Sequence, residues 1–181
     1  MHVKGRLPTR KPIRLVRQVY EGNQAYSVTV GTARRAASFG DEDVVTIGRN
    51  ALSEAAGRHG VDVLAYCFMP DHFHLLVEGR DGSNLIDFMK LLKQLAGYRY
   101  KTMFGRSLWQ KGYHDHVLRR EEDIGAVARY IFANPVRAEL VEAMEDYPYS
   151  GGILFSEVSG DLPPRPAPRP EGRPYEDGSH A

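Results

Sequence analysis

The sequence predicts an α+β domain in which an antiparallel sheet carries helices on one face, with one further helix towards the C-terminal end. Three observations carry this prediction. The apolar residues switch repeatedly between the strand period of two and the helix period of 3.6. The stretches so marked follow in the order strand, helix, strand, strand, helix, strand, helix. The second and third strands are separated only by Pro70-Asp71, a turn so tight that the strands it joins must be antiparallel. The order is that of a ferredoxin-like sheet, the architecture also used by RRM-like modules.

Each element has its own signal. Tyr26, Val28 and Val30 alternate with Ser27 and Thr29 and define a first strand over residues 24–32. A helix follows over residues 40–59, where Val44, Ile47, Ala51, Leu52 and Ala55 recur at helical spacing and Gly60 ends the run. Residues 61–69 are apolar on both faces, as a central strand requires, and residues 72–78 return as its antiparallel partner. Asp81-Gly82-Ser83 is expected to cap a long helix whose stripe is Leu85, Phe88, Met89, Leu92, Leu95 and Ala96. Residues 113–119 supply a fourth strand. Glu121-Glu122-Asp123 then opens a helix with its acids where the dipole favours them, and Pro135 stops it near Asn134. A short helix over residues 136–144 is expected next. The organisation is a basic arm over residues 1–22, one domain over residues 23–158, and a Pro-rich tail over residues 159–181 with too few apolar side chains to order itself.

Composition excludes several classes. With 42% hydrophobic and 26% charged residues the chain has the balance of a soluble globular protein. No apolar run approaches the roughly 20 residues of a membrane span, and no apolar leader opens the sequence, so a cytoplasmic location is expected. Cys67 is the sole cysteine, which excludes an internal disulfide and a cysteine-rich zinc site. The net charge of +1 conceals two basic blocks. Lys4, Arg6, Arg10, Lys11, Arg14, Arg17, Arg34 and Arg35 are opposed only by Glu21, and Lys90, Lys93, Arg99, Lys101, Arg106 and Lys111 only by Asp87. Such segregation suits a polyanionic partner, and it equally suits a solvated basic face.

The chemistry concentrates at a few positions. His72 and His74 flank Phe73 on the third strand, so both imidazoles share one face and present a pair of metal ligands. His114-Asp115-His116 repeats the pattern on the fourth strand and weakens the case for either copy alone. Tyr130 and Asn134 stack one turn apart at the edge of the buried stripe of the last long helix. A tyrosine attacks phosphorus when a cation stabilises its phenolate, and an asparagine offers a neutral oxygen to a metal. Read alone, Tyr130 is equally a packing aromatic, and Asn134-Pro135 equally an N-cap followed by proline at the first helical position.

Taken together, three blocks resemble the REP-associated tyrosine transposases, relatives of the single-tyrosine insertion-sequence transposases. They are Ala65-Tyr66-Cys67-Phe68-Met69-Pro70-Asp71-His72-Phe73-His74-Leu75-Leu76-Val77, Trp109-Gln110, and Tyr130-Ile131-Phe132-Ala133-Asn134-Pro135-Val136-Arg137-Ala138. Tyr147-Pro148-Tyr149-Ser150 resembles the C-terminal block of that family. The resemblance implies a histidine–hydrophobic–histidine endonuclease domain over residues 23–158. In it His72, His74 and Asn134 hold Mg²⁺ or Mn²⁺, and Tyr130 is the nucleophile that forms a 5′-phosphotyrosine. Single-stranded or hairpin DNA is the implied partner, with Lys90, Lys93, Arg99, Arg119 and Arg137 as the expected DNA-binding cations. A homodimer, with Tyr130 serving its own or a partner's histidines, is left open. Two other classes compete. A non-catalytic RRM-like module would put aromatics where His72 and His74 stand, and a water-activating hydrolase would need a carboxylate base, for which only Asp71 is near in sequence.

Overall fold

The computed structural model describes residues 20–119 and 122–160, so most of the basic arm and nearly all of the Pro-rich tail lie outside the described residues. Strands β1 (Ala25–Gly31), β2 (Val61–Met69), β3 (His72–Gly79) and β4 (His114–Val117) form one sheet with β5 (Ser150–Gly151). The spatial order is β4-β1-β3-β2-β5, with every paired neighbour antiparallel. The chain alternates these strands with α1 (Glu42–His59) and α2 (Leu85–Phe104), then adds α3 (Ile124–Phe132), a single turn α4 (Asn134–Arg137) and α5 (Phe155–Gly160).

The sheet separates two apolar layers, because successive strand residues point to opposite faces. Phe73, Leu75 and Val77 are wholly buried on the side of α1 and α2, with Phe88, Leu92 and Ala96 of α2 in the same core. Phe68 and Phe73 stack at 4.2 Å between ring centroids within that layer. Leu76 faces the other way and joins Ala65, Cys67 and Met69 beneath Ala128, Ile131 and Phe132 of α3. The second face is therefore not fully open. α3 roofs the β2–β3 half of it, and the half formed by β1 and β4 keeps its polar row of Ser27, Thr29, His114 and His116.

Boundaries differ from the expected ones where local hydrogen bonding decides them. Asn84, not residues 81–83, caps α2, its Oδ1 accepting from the N–H groups of Ile86 and Asp87. α3 begins after its acids: Asp123 caps it through the Gly125 N–H, and Glu122 turns back to His116 and the Arg119 N–H. The helix expected over residues 136–144 ends after one turn, because Glu139 adopts a left-handed φ of 56°. α1 ends where expected, at Gly60 with φ 60°. β5 has only two residues, too few to leave a periodic pattern. It and the 2.7 Å bond from Tyr147 Oη to the Phe68 carbonyl cover the β2 edge.

Candidate active site

β3 presents His72 and His74 on the α3 side of the sheet, next to buried Leu76, for the reason that alternation predicts. Their Nε2 atoms converge to 2.9 Å. The other ring nitrogen of each is held from outside: Asp71 Oδ1 lies 2.6 Å from His72 Nδ1, and Thr29 Oγ1 lies 3.1 Å from His74 Nδ1. Asp71 can accept only from His72 Nδ1–H, and Thr29 Oγ1 can serve His74 Nδ1 as donor or acceptor. These partners hold both rings with their Nε2 atoms converging on one point. Two neighbouring ligands about 2.1 Å from an octahedral ion stand about 3.0 Å apart, so the pair has the bite of a divalent-metal chelate.

Electrostatics favour ligation. Burial, the neighbouring His72 and the charge of Arg137 push the His74 pKa down to about 4, so the ring is neutral and its lone pair available above that pH. Burial on its own would raise the Asp71 carboxyl. The hydrogen bond and charge of His72, with Arg35 at 3.0 Å, outweigh it and hold that carboxyl below the ordinary aspartate value. Asp71 thus stands as an anion behind His72. Its backbone carbonyl accepts from the Thr32 N–H and Oγ1, contacts that an alanine would retain. Asp71→Ala is accordingly expected to fold normally and to lose about ten- to a hundredfold in Mn²⁺ affinity, read by titration calorimetry.

Tyr130 lies on α3, and two further candidates, Asn134 and Arg137, lie on α4. α4 packs against β2, whose Cys67 and Met69 are the cross-strand neighbours of His74 and His72. The Arg137 guanidinium lies 4.7 Å over the Tyr130 ring, and its charge is also felt at His74. Tyr130 is 53% exposed, which a packing aromatic would not be. Asn134 is not an N-cap. Ala133 occupies the cap position of α4, and Asn134 Nδ2 donates to the carbonyls of Tyr130 and Ile131 at 3.0 and 3.2 Å. That orientation commits the amide nitrogen, and Oδ1 makes no hydrogen bond among the described residues. Among the described residues no three His, Cys, Asp or Glu side chains form a metal-binding group.

The expected DNA-binding cations divide. Arg137 belongs to the cluster, and Arg119 is exposed at the end of β4 beside His116. Lys90, Lys93 and Arg99 lie on α2, across the sheet from the histidines. Lys93 donates to the carbonyls of Gln110 and Gly112, and Arg99 pairs with Glu54 at 2.6 Å, so these two hold the helical layer and its loop together. His114 sits opposite Thr29 in register and so on the histidine face. It stands two strand spacings from His74, about 9.5 Å between backbones, and takes no part in the 2.9 Å convergence of the β3 pair. Asp115 points the other way and accepts from Tyr20 Oη. The sequence reading missed the roles of Thr29 and Arg137 because both arise from pairing and packing between distant segments. Asp71, adjacent to His72, was visible as a candidate base and not as a histidine partner.

Comparison with known proteins bears on the family and the fold. Residues 21–134 match a family model described as transposase, IS200-like. A Haemophilus influenzae protein named for the REP-associated tyrosine transposases is 28% identical over 134 residues, covering 67% of this chain and 75% of that protein. The REP-associated tyrosine transposase of Escherichia coli is 22% identical over 102 residues, covering 56% of this chain and 61% of its own length. Among solved structures, a REP-associated tyrosine transposase bound to a REP hairpin superposes with a TM-score of 0.65 at 20% identity, covering 86% of this chain and 92% of that one, a likeness of fold.

Proposed function

The chain belongs to the IS200-like transposase family, and on that premise we propose that it is a metal-dependent single-strand DNA endonuclease and strand transferase with Tyr130 as nucleophile. The observation that carries the reading is the histidine chelate: two Nε2 atoms 2.9 Å apart, each backed on Nδ1, beside an arginine that also covers Tyr130. The substrate is single-stranded DNA with a hairpin, a reading supported by the REP hairpin bound to the structural relative.

His72, His74 and Asn134 Oδ1 are the groups that would hold Mg²⁺ or Mn²⁺, which when bound draws charge from a non-bridging phosphate oxygen of the scissile linkage. Tyr130 Oη attacks phosphorus in line with the departing 3′ oxygen. The Oη–P bond forms and the P–O3′ bond breaks. The phenol gives up its proton, and the 3′ oxygen keeps the bonding pair and takes a proton to become a hydroxyl. The phosphoester energy stays in the 5′-phosphotyrosine, so a 3′-hydroxyl of another strand can reverse the attack and restore the phenol without ATP. Arg137 compensates the charge that gathers on the phenolate and the phosphate. One nucleophile beside one chelate implies strand transfer one strand at a time. Formation of a denaturation-resistant protein–DNA adduct in Mn²⁺ tests the reading, since neither a binding module nor a water-activating hydrolase forms one.

Asn134 allows a sharper check. Asn134→Ser removes the oxygen ligand, and the N-cap that serine could have preserved does not exist here. A loss of one to two orders of magnitude in Mn²⁺ affinity is expected, on the roughly ten- to hundredfold scale of changes around a metal site. The melting temperature should move little, because Asn134 contributes only hydrogen bonds to α3 carbonyls near its end. Unchanged Mn²⁺ affinity would leave the two histidines as the whole protein ligand set.

A further inference from the structure

The Trp109-Gln110 pair has a place in the fold that its sequence does not explain. Residues 108–110 run beside the end of β1: the Ala33 N–H donates to the Leu108 carbonyl, and the Gln110 N–H donates to the Gly31 carbonyl at 3.0 Å. The Gln110 carbonyl is held in turn by Lys93 Nζ at 3.1 Å, and Trp109 Nε1 donates to the Lys93 carbonyl. The backbone of Gln110 is thus fixed from both sides, and its side chain turns across Gly31. A Cβ on Gly31 would stand 2.6 Å from Gln110 Cδ and 2.7 Å from both Nε2 and Oε1, closer than any real Cβ tolerates.

The register identifies the face. Gly31 lies opposite His72, as Thr29 lies opposite His74, and the Thr29–His74 bond shows that such partners point the same way. The Gln110 carboxamide therefore lies on the histidine side of the sheet, with no side chain at Gly31 to separate it from His72. The backbones of residues 108–110 and β3 are two strand spacings apart, about 9.5 Å, which two facing side chains only partly fill. Gln110 is half-buried, and among the described residues its carboxamide makes no hydrogen bond although its own carbonyl and the neighbouring Trp109 are anchored.

We propose that Gln110 holds the scissile phosphate, donating from Nε2 to a non-bridging oxygen opposite the histidine pair, and that Gly31 is a glycine to let it reach. A neutral donor suits this position, because it fixes the phosphate without competing with the histidines for a cation. The inference rests on the endonuclease reading above and assigns a phosphate-positioning residue within that site.

The test uses the full chain, a hairpin-containing single-stranded DNA and Mn²⁺. Gln110→Ala should slow single-turnover adduct formation by about ten- to a hundredfold, the worth of a hydrogen bond to a charged group, with Mn²⁺ affinity in the absence of DNA unchanged. Gln110→Glu should be slower still, since its carboxylate repels the phosphate. Gly31→Ala should slow the wild-type protein and add nothing in the Gln110→Ala background, because the methyl acts only by displacing the carboxamide. Circular dichroism melts verify that each variant is folded. Adduct formation by Gln110→Ala at the wild-type rate overturns the inference alone. So does a loss of Mn²⁺ affinity in that variant, which would make Gln110 a metal ligand, or a full Gly31→Ala effect in the double variant. Absence of an adduct from the wild-type protein overturns the endonuclease reading and this inference with it.

Discussion

Tyr130→Phe is expected to abolish covalent attachment to DNA while leaving hairpin binding and stability nearly unchanged. The ring survives, and with it the stacking of Arg137 at 4.7 Å. The half-exposed side chain fills no core position, and its hydroxyl makes no hydrogen bond among the described residues, so the fold loses nothing measurable. Only the attacking oxygen is removed. Loss of a nucleophile typically costs several orders of magnitude, so the adduct should fall at least about four orders below wild type. A gel of denatured reaction products reads this directly. Adduct formation by the phenylalanine variant at the wild-type rate would assign the chemistry to another residue.

The second large effect belongs to the chelate. His72→Ala and His74→Ala should each abolish Mn²⁺ binding in calorimetry and cleavage with it, because a single imidazole and one amide oxygen make a poor site for a hydrated ion. His114→Ala should retain Mn²⁺ affinity, although its side chain is on the same face. One strand, β1, lies between its own strand and β3, so it stands about 9.5 Å from His74 between backbones, apart from the converging pair. Loss of Mn²⁺ binding in the His114 variant alone would show that the ion sits at β4. Thr29 lies between these two histidines, and its bond to His74 Nδ1 makes it the support of the inner site and not a link to the outer one.

What could be read from the sequence was set by the range of the interactions involved. β2 and β3 were legible because their apolar patterns and the Pro70-Asp71 turn are local, and the shared face of His72 and His74 followed from strand alternation alone. α1 was legible to its ends because Asp41 and Gly60 act on their own helix. α4 was read too long, since the left-handed turn at Glu139 depends on packing that no propensity encodes. The same limit hid the closure of the site. Arg137 reaches Tyr130 because α4 follows α3 through the single helical residue Ala133, and Gln110 reaches the histidine face only because residues 108–110 pair with β1. Lys93 and Arg99 looked like a phosphate-binding stripe because a sequence shows charge and not its partners. In the fold one is committed to loop carbonyls and the other to Glu54.

Mapping the residue that carries the DNA tests the covalent chemistry most directly. The full chain is incubated with Mn²⁺ and a hairpin-containing single-stranded DNA labelled on the 3′ side of the cut. After denaturation and proteolysis, the labelled peptide is sequenced by mass spectrometry. The expected result is a single DNA-linked peptide bearing a phosphodiester on Tyr130, formed only with the divalent ion and reversed by a strand with a free 3′-hydroxyl. Cleaved DNA with a free 5′-phosphate and no linked peptide, or a link at any other residue, would contradict it.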